Sequence, residues 1–336
     1  MKKTRVCDQF GIDYPIIQAP MGWVSRAELV AAVSNAGGLG TIGPAAGEKT
    51  QEEAKNMDTM ELRLREQIRK VKSLTDKPFA VNFPIGWGKQ KIMNERRVAA
   101  ALDEGIEIAN VSMGSPEVLT QRFHDAGCKV IHIVTSVRHA RKAEQAGVDA
   151  VVCIGHEAGG HIGPDEIPTF VLVPQVSDAV KIPVIAAGGI ADARSLVAAF
   201  ALGAEGVYMG TRFLATVECN AHANMKQALV DADDTSSVAF GRRTGISRCL
   251  KNEYTKRHME LEAKGTSFEE MRDYERSGDD LGEWRRFPAA VIAGNVEYGS
   301  AACGCIAGGI HDIVPAGEVI RRMVDGYRDV MARLND

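Results

Sequence analysis

Residues 183–213 read PVIAAGGIADARSLVAAFALGAEGVYMGTRF, and their reading decides the fold. Pro183 opens an apolar, β-rich run, Val184-Ile-Ala-Ala187, that ends in the pair Gly188-Gly189. A helical pattern of small apolar residues follows and stops at Gly203. A second run, Gly206-Val-Tyr-Met209, then ends in Gly210-Thr211. Proline is tolerated at a strand start, and glycine suits the left-handed turn that ends a helix. The stretch therefore reads as two parallel strand–helix units in tandem, each strand giving way to a glycine loop.

The same two entrances recur upstream. Proline opens Pro15-Ile-Ile-Gln-Ala and Pro78-Phe-Ala-Val-Asn, and a helix-ending glycine precedes the runs after Gly37, Gly105, Gly127 and Gly147. Strands are thus predicted near residues 15–19, 39–42, 79–83, 107–111, 129–134, 149–153, 183–187 and 206–209. Eight is the strand number of a (β/α)8 TIM barrel, although an open doubly wound sheet can be built from similar units. Two glycine loops on neighbouring strands, where such barrels commonly hold phosphate, favour the barrel.

Beyond Thr211 the pattern changes, because residues 215–305 are more charged and show no clear strand–helix pair. Ala221–Ala232 and Tyr254–Lys264 read as helices, with a Ser/Gly/Asp turn at Ser277–Asp280. Val319, Ile320, Met323, Val324, Tyr327, Val330, Met331 and Leu334 give Ala316–Leu334 a clean helical period. The expected organisation is a barrel over 1–214, a helical insert over 215–305, and a segment over 306–336 whose helix returns to the barrel.

Composition sets the outer bounds. The chain has 336 residues, 45% apolar and 25% charged, which excludes disordered, collagen-like and disulfide-scaffold classes. Net charge is −4 with no long run of like charges, so a nucleic-acid partner is not expected and a small molecule is. The seven cysteines are scattered without a C-x-x-C pair, which argues against zinc and iron–sulfur sites and suits a reducing cytoplasm. Leu29 to Gly47 is the longest uncharged stretch, but five glycines and Pro44 make it a poor membrane span. The N-terminal MKKTRVCDQFGIDYP lacks a signal-peptide core, so neither export nor membrane association is expected.

Barrel active sites lie at the C-terminal ends of the strands, which singles out three places. At the first, Gly188, Gly189 and Gly210 let backbone N–H groups approach an anion beside a helix N-terminus, the physics of a phosphate site. The second is Gly155-His-Glu-Ala-Gly-Gly-His-Ile-Gly163, opening a connection of about 15 residues, long enough to serve a ligand. His161 follows a glycine pair and can give or take a proton near neutrality. His156 reads as a surface histidine of that loop, and Glu157 as a carboxylate bonding backbone N–H groups. The third is Gln18-Ala-Pro-Met-Gly-Trp23, with Asn82 at the end of the third strand, whose amide suits a heteroaromatic edge. Gly38-Leu-Gly-Thr-Ile-Gly43 matches G-x-G-x-x-G but follows a helix and supplies a strand, the reverse of the dinucleotide-binding context. Asp58 and Glu61, at the spacing of a ribose-binding acid, fall in a helical stretch rather than at a strand end.

Taken together, Pro15–Trp23, Asn35–Gly40, Glu157–Gly163 and Ile182–Ile190 through Met209–Phe213 resemble the nitronate monooxygenase family. That family, once called 2-nitropropane dioxygenases, also includes FMN-dependent enoyl-acyl-carrier-protein reductases and NADH:quinone reductases. The resemblance covers about residues 10–215 well and the insert loosely. It implies an FMN-binding barrel with a helical domain over its mouth, and an enzyme that oxidises alkyl nitronates with O₂. The alternative is an NAD(P)H-dependent quinone or enoyl-thioester reductase using the same FMN site, with NADH or NADPH as donor. The resemblance places the FMN phosphate on Gly188, Gly189, Gly210 and Thr211. Ala19, Pro20, Met21 and Asn82 would border the isoalloxazine, with Ala187 also at the cofactor, and His161 matches the active-site histidine. Some quinone-reductase members carry a lysine in the fifth strand, where this chain reads His132-Ile-Val-Thr135, so flavin tuning is expected to differ. An inosine-monophosphate-dehydrogenase-type barrel would share the phosphate loops but needs a nucleophilic cysteine after the sixth strand, whereas Cys153 falls within it. A non-catalytic flavin-binding protein would be marked by absence of turnover with every donor and acceptor. No metal is expected, and a homodimer is the assembly to test for.

Overall fold

The computed structural model describes residues 1–86, 89–277, 281 and 284–335, with the side chains of 89–93 and 335 left out. Eleven strands occur among these residues: β1 (Ile16–Gln18), β2 (Gly40–Ile42), β3 (Phe79–Pro84), β4 (Ile108–Ser112), β5 (Lys129–Val134), β6 (Ala150–Ile154), β7 (Gly160–His161), β8 (Val184–Ala187), β9 (Gly206–Met209), β10 (Ser237–Phe240) and β11 (Ser247–Leu250). Eight of them form one parallel sheet in the order β1-β9-β8-β6-β5-β4-β3-β2. A parallel bridge between Ile17 and Leu39 joins its two edges, so the sheet closes into the predicted barrel. Each barrel strand lies within one residue of its predicted bounds. The helix-ending glycines explain that accuracy, since Gly37 and Gly203 adopt φ of +88° and +94°, a region only glycine enters at no cost.

Alternation along the strands divides the core in two. Ile17, Leu39, Ala80, Ile108, Ile131, Val152, Ile185 and Tyr208 fill the barrel, and Val6, Cys7 and Phe10 of the helix Arg5–Phe10 plug its N-terminal end. Ile16, Ile42, Val81, Ala109, Val130, Val151, Ala186 and Val207 face the surrounding helices. Helix and strand approach closely at Gly40, where a Cβ would sit 2.2 Å from the Val30 carbonyl oxygen. The helix Ala316–Asn335 packs against the helices Ala193–Ala201 and Ala27–Asn35, completing the outer ring.

Residues 215–305, the expected insert, carry helices Ala223–Val230, Glu253–Ala263, Phe268–Arg276 and Arg286–Val291. They also contain an antiparallel hairpin, β10–β11, which the sequence reading did not foresee. Its strands have four residues each and lack a sustained apolar alternation, so neither stands out from the charged segment around it. β11 pairs on its other side with β7, which belongs to the barrel loop after β6. Phe240, Tyr254, His258 and Tyr274 pack ring against ring behind the hairpin. Arg286 lies over the Tyr254 and Tyr274 rings, 5.2 and 4.7 Å from their centroids. Of the turn predicted at Ser277–Asp280, residues 278–280 lie outside the described residues. Among the described residues no helix is long and apolar enough to cross a membrane.

Candidate active site

The C-terminal end of the barrel is where the backbone departs from ordinary geometry. Among the described residues four non-glycines have left-handed φ: Trp23 (+68°), Ala45 (+58°), Met113 (+57°) and Glu166 (+50°). They sit in the loops after β1, β2, β4 and β6 respectively. Such conformations cost of order 1–3 kcal/mol each and cluster at functional sites. A shallow concavity lined by Arg5, Asp8, Asp149 and Lys181 lies at the opposite end, where barrels of this kind carry no chemistry.

The mouth has an apolar floor. Ile17, Ile131 and Val152 are fully buried, whereas Ala19, Ile133 and Ile154, one step further towards the C-terminal end, are only half-buried. Asn82 lies in a polar layer just inside. Its Nδ2 donates to the Asn110 carbonyl at 3.0 Å and to Ser112 Oγ at 3.4 Å, while Asn110 Nδ2 donates to the Tyr208 hydroxyl at 2.7 Å. Pro20 and Met21, in the loop after β1, are half-buried, and the Met21 N–H is held by Ser25 Oγ at 2.8 Å.

Ala187 is buried at the end of β8, and Gly188 and Gly189 then turn at φ +102° and +73°. The backbone N–H groups of Gly188, Gly189, Gly210 and Thr211 donate to no protein acceptor among the described residues. The two loops differ in why they need glycine. A Cβ on Gly188 would meet Thr169 Oγ1 at 2.7 Å, a demand made by the protein itself. On Gly210 it would meet only Ala19 Cβ at 3.7 Å, so the protein leaves that space open. Thr211 is buried, and its hydroxyl accepts from the Gly304 N–H at 2.9 Å, leaving its own proton to donate elsewhere. A free set of N–H donors beside an apolar floor fits the phosphate and ring of FMN.

The loop after β6 is tied at both ends. The His156 N–H donates to the Ile167 carbonyl at 2.9 Å. The Glu157 carboxylate accepts from the Thr169 N–H and hydroxyl, both at 2.8 Å, at the start of the helix Thr169–Ala179. Between them the loop runs against the insert: the Cys305 N–H donates to the Glu157 carbonyl at 2.9 Å, and His161 pairs with Ser247. His161 is exposed to solvent yet has protein around it, and the charges of Glu275 and Arg272 act on its ring. Crowding by protein lowers its pKa, with Glu275 opposing and Arg272 adding to the shift.

His156 is not the freely solvated histidine that the sequence suggested. Arg248 Nη2 lies 2.9 Å from its Nε2, and Arg248 Nε donates to its carbonyl at 3.1 Å. Arg248, 92 positions from His156 in sequence, gave no sequence clue, and neither did Gly304. His132 lies opposite Val111 and Val151, which face the helix layer, so it points away from the mouth, and burial pushes its pKa down to about 4. Cys153 also faces the helix layer, and burial raises its thiol to about 12, which leaves no nucleophile there for a dehydrogenase of the nucleotide type. Among the described residues no cluster of His, Cys, Asp or Glu could hold a metal.

A sequence profile described as nitronate monooxygenase matches residues 3–86 and 84–326. A (3aS,4S,5R,7aS)-5-hydroxy-7a-methyl-1-oxo-octahydro-1H-indene-4-carboxyl-CoA dehydrogenase of Mycobacterium tuberculosis is 34% identical, covering 96% of this chain and 95% of that protein. A probable nitronate monooxygenase of Staphylococcus aureus is 35% identical over 75% of this chain and 79% of its own length. The solved structure of FabK from Thermotoga maritima superposes with a TM-score of 0.88 at 36% identity, covering 100% of this chain and 99% of that one.

Proposed function

Because the chain belongs to the nitronate monooxygenase family, we propose that it is an FMN-dependent oxidoreductase that oxidises alkyl nitronates with O₂. The observation that carries this reading is the set of unpartnered N–H groups at Gly188, Gly189, Gly210 and Thr211, beside a half-buried apolar floor. Those groups would hold the FMN phosphate, with the Thr211 hydroxyl donating. Ala19, Pro20, Met21 and Ala187 would bound the ring, and the Asn82 amide would meet its polar edge. When bound, FMN supplies the two-electron acceptor for the substrate and the route by which electrons reach O₂. His161 would receive the substrate's anionic oxygen. A histidine with a lowered pKa is neutral at pH 7 and offers one N–H donor and one acceptor nitrogen, enough to hold an anion or take a proton.

A second reading is favoured by a specific observation, the match to FabK over the whole chain, together with the acyl-CoA named for the Mycobacterium tuberculosis relative. On that reading the same site takes electrons from NADH or NADPH and delivers them to an enoyl thioester or a quinone. The test is to purify the protein, record its absorption spectrum, and mix it anaerobically with propionate 3-nitronate, NADH or NADPH. Bleaching of the flavin by the nitronate alone supports the monooxygenase; bleaching by a pyridine nucleotide supports the reductase. A colourless protein that takes up no added FMN overturns both.

A further inference from the structure

The strand that carries His161 is two residues long, too short to hold its own position. Among the described residues its only sheet partner is β11, with Ser247 opposite His161 and Arg248 opposite Gly160. Arg248 is buried, at 6% exposure, and spends its guanidinium on the same loop. Nε donates to the His156 carbonyl at 3.1 Å, Nη2 meets His156 Nε2 at 2.9 Å, and Nη1 donates to Ser237 Oγ of β10 at 3.2 Å. At the far end of the loop, Arg242 from the hairpin turn grips Glu166 at 2.7 and 3.0 Å.

The chemistry of the Arg248–His156 contact is one-sided. An arginine can only donate, so His156 Nε2 must accept, and the ring is held neutral with its proton on Nδ1. Burial lowers the His156 pKa, Arg248 and Arg242 lower it further, and Glu166, 3.6 Å from Nε2, and Glu157 oppose them. Protonation would set an imidazolium against the guanidinium and release the clamp.

We propose that Arg248 is a positioning residue for the reaction: by clamping the backbone and ring of His156, it fixes the register of Gly160–His161 on β11 and so the place of the His161 ring. The proposal rests on the reading that His161 meets the substrate. A misplacement of about 1 Å at a reacting group can cost 10²-fold in rate, so loss of the clamp is felt in kcat rather than in folding alone.

The test uses the full-length, flavin-loaded protein with the substrate that turns over, and apo protein labelled at histidine for NMR. Arg248→Met is expected to lower kcat by roughly 10- to 100-fold with a smaller change in KM. His156→Leu, which removes the acceptor, should do the same, and His156→Gln, whose Oε1 can accept from Arg248, should restore the parent rate. NMR should find His156 neutral with the proton on Nδ1 in the parent and titrating nearer the ordinary range in Arg248→Met. In a His161→Ala background, Arg248→Met should add no further loss. Parent-like kcat in both Arg248→Met and His156→Leu would overturn the proposal, and so would an equal loss in the His161→Ala background. If Arg248→Met does not fold, the His156 pair decides the matter. Failure of the underlying reading looks different: His161→Ala alone then turns over like the parent, whatever NMR reports for His156.

Discussion

Crowding by protein favours the neutral form of His161, and that has a direction in pH. A turnover step that uses the neutral ring is lost as pH falls through a pKa below the ordinary 6.5 and is flat above it. His161→Ala should therefore remove that acid limb and cost roughly 10²-fold or more in turnover while keeping FMN. Steady-state rates across the acid range, with the flavin spectrum of each variant, check both. The glycines of the phosphate loops should part company under mutation. Gly188→Ala forces a Cβ to within 2.7 Å of Thr169 Oγ1 at a φ of +102°, so thermal melting should fall first. Gly210→Ala adds a Cβ that has room against the protein, so its melting should hold while FMN affinity drops. Both glycines were legible as loop residues, but only the packing of Thr169 separates their reasons.

Among elements, the helix Thr169–Ala179 begins at Pro168, which provides no side-chain cap. Glu157, twelve positions upstream, takes that role, accepting from the Thr169 N–H and hydroxyl. A carboxylate at a helix N-terminus also meets the positive end of its dipole. Glu157→Ala should therefore destabilise the protein by about 1–2 kcal/mol, read as a shift in the urea midpoint, and loosen the loop that carries His161. The sequence reading placed Glu157 on backbone N–H groups within its own turn; the acceptor role holds, and the donors come from the next helix. The barrel strands were legible because a proline or a helix-ending glycine announces each, a requirement met within a few residues of chain. The hairpin β10–β11 has no such signal: its identity comes from pairing with Gly160–His161, about 90 residues upstream.

At the scale of the whole molecule, the largely apolar layer between barrel and helices constrains stability. His132 is 3% exposed there, and its ring is hydrogen-bonded by the backbone of Gly114. With a folded pKa of about 4, the native ring stays neutral where the unfolded ring takes up a proton. Stability from this group is complete above pH about 6.5 and is lost as pH falls towards 4, by about 3 kcal/mol in all. His132→Phe should flatten that part of the profile, measured as urea midpoints of parent and variant at neutral and acid pH. The sequence by itself determined the eight strands, the order of their units, and the glycine and histidine loops that follow them, because each is set by backbone demands local to a turn. Only the tertiary structure decided that His132 faces the helix layer, that Gly304 caps Thr211, and that Arg248 clamps His156. The last two contacts join residues 93 and 92 positions apart. Neither periodicity nor turn chemistry acts over that distance, so what brings them together is the path of the closed chain.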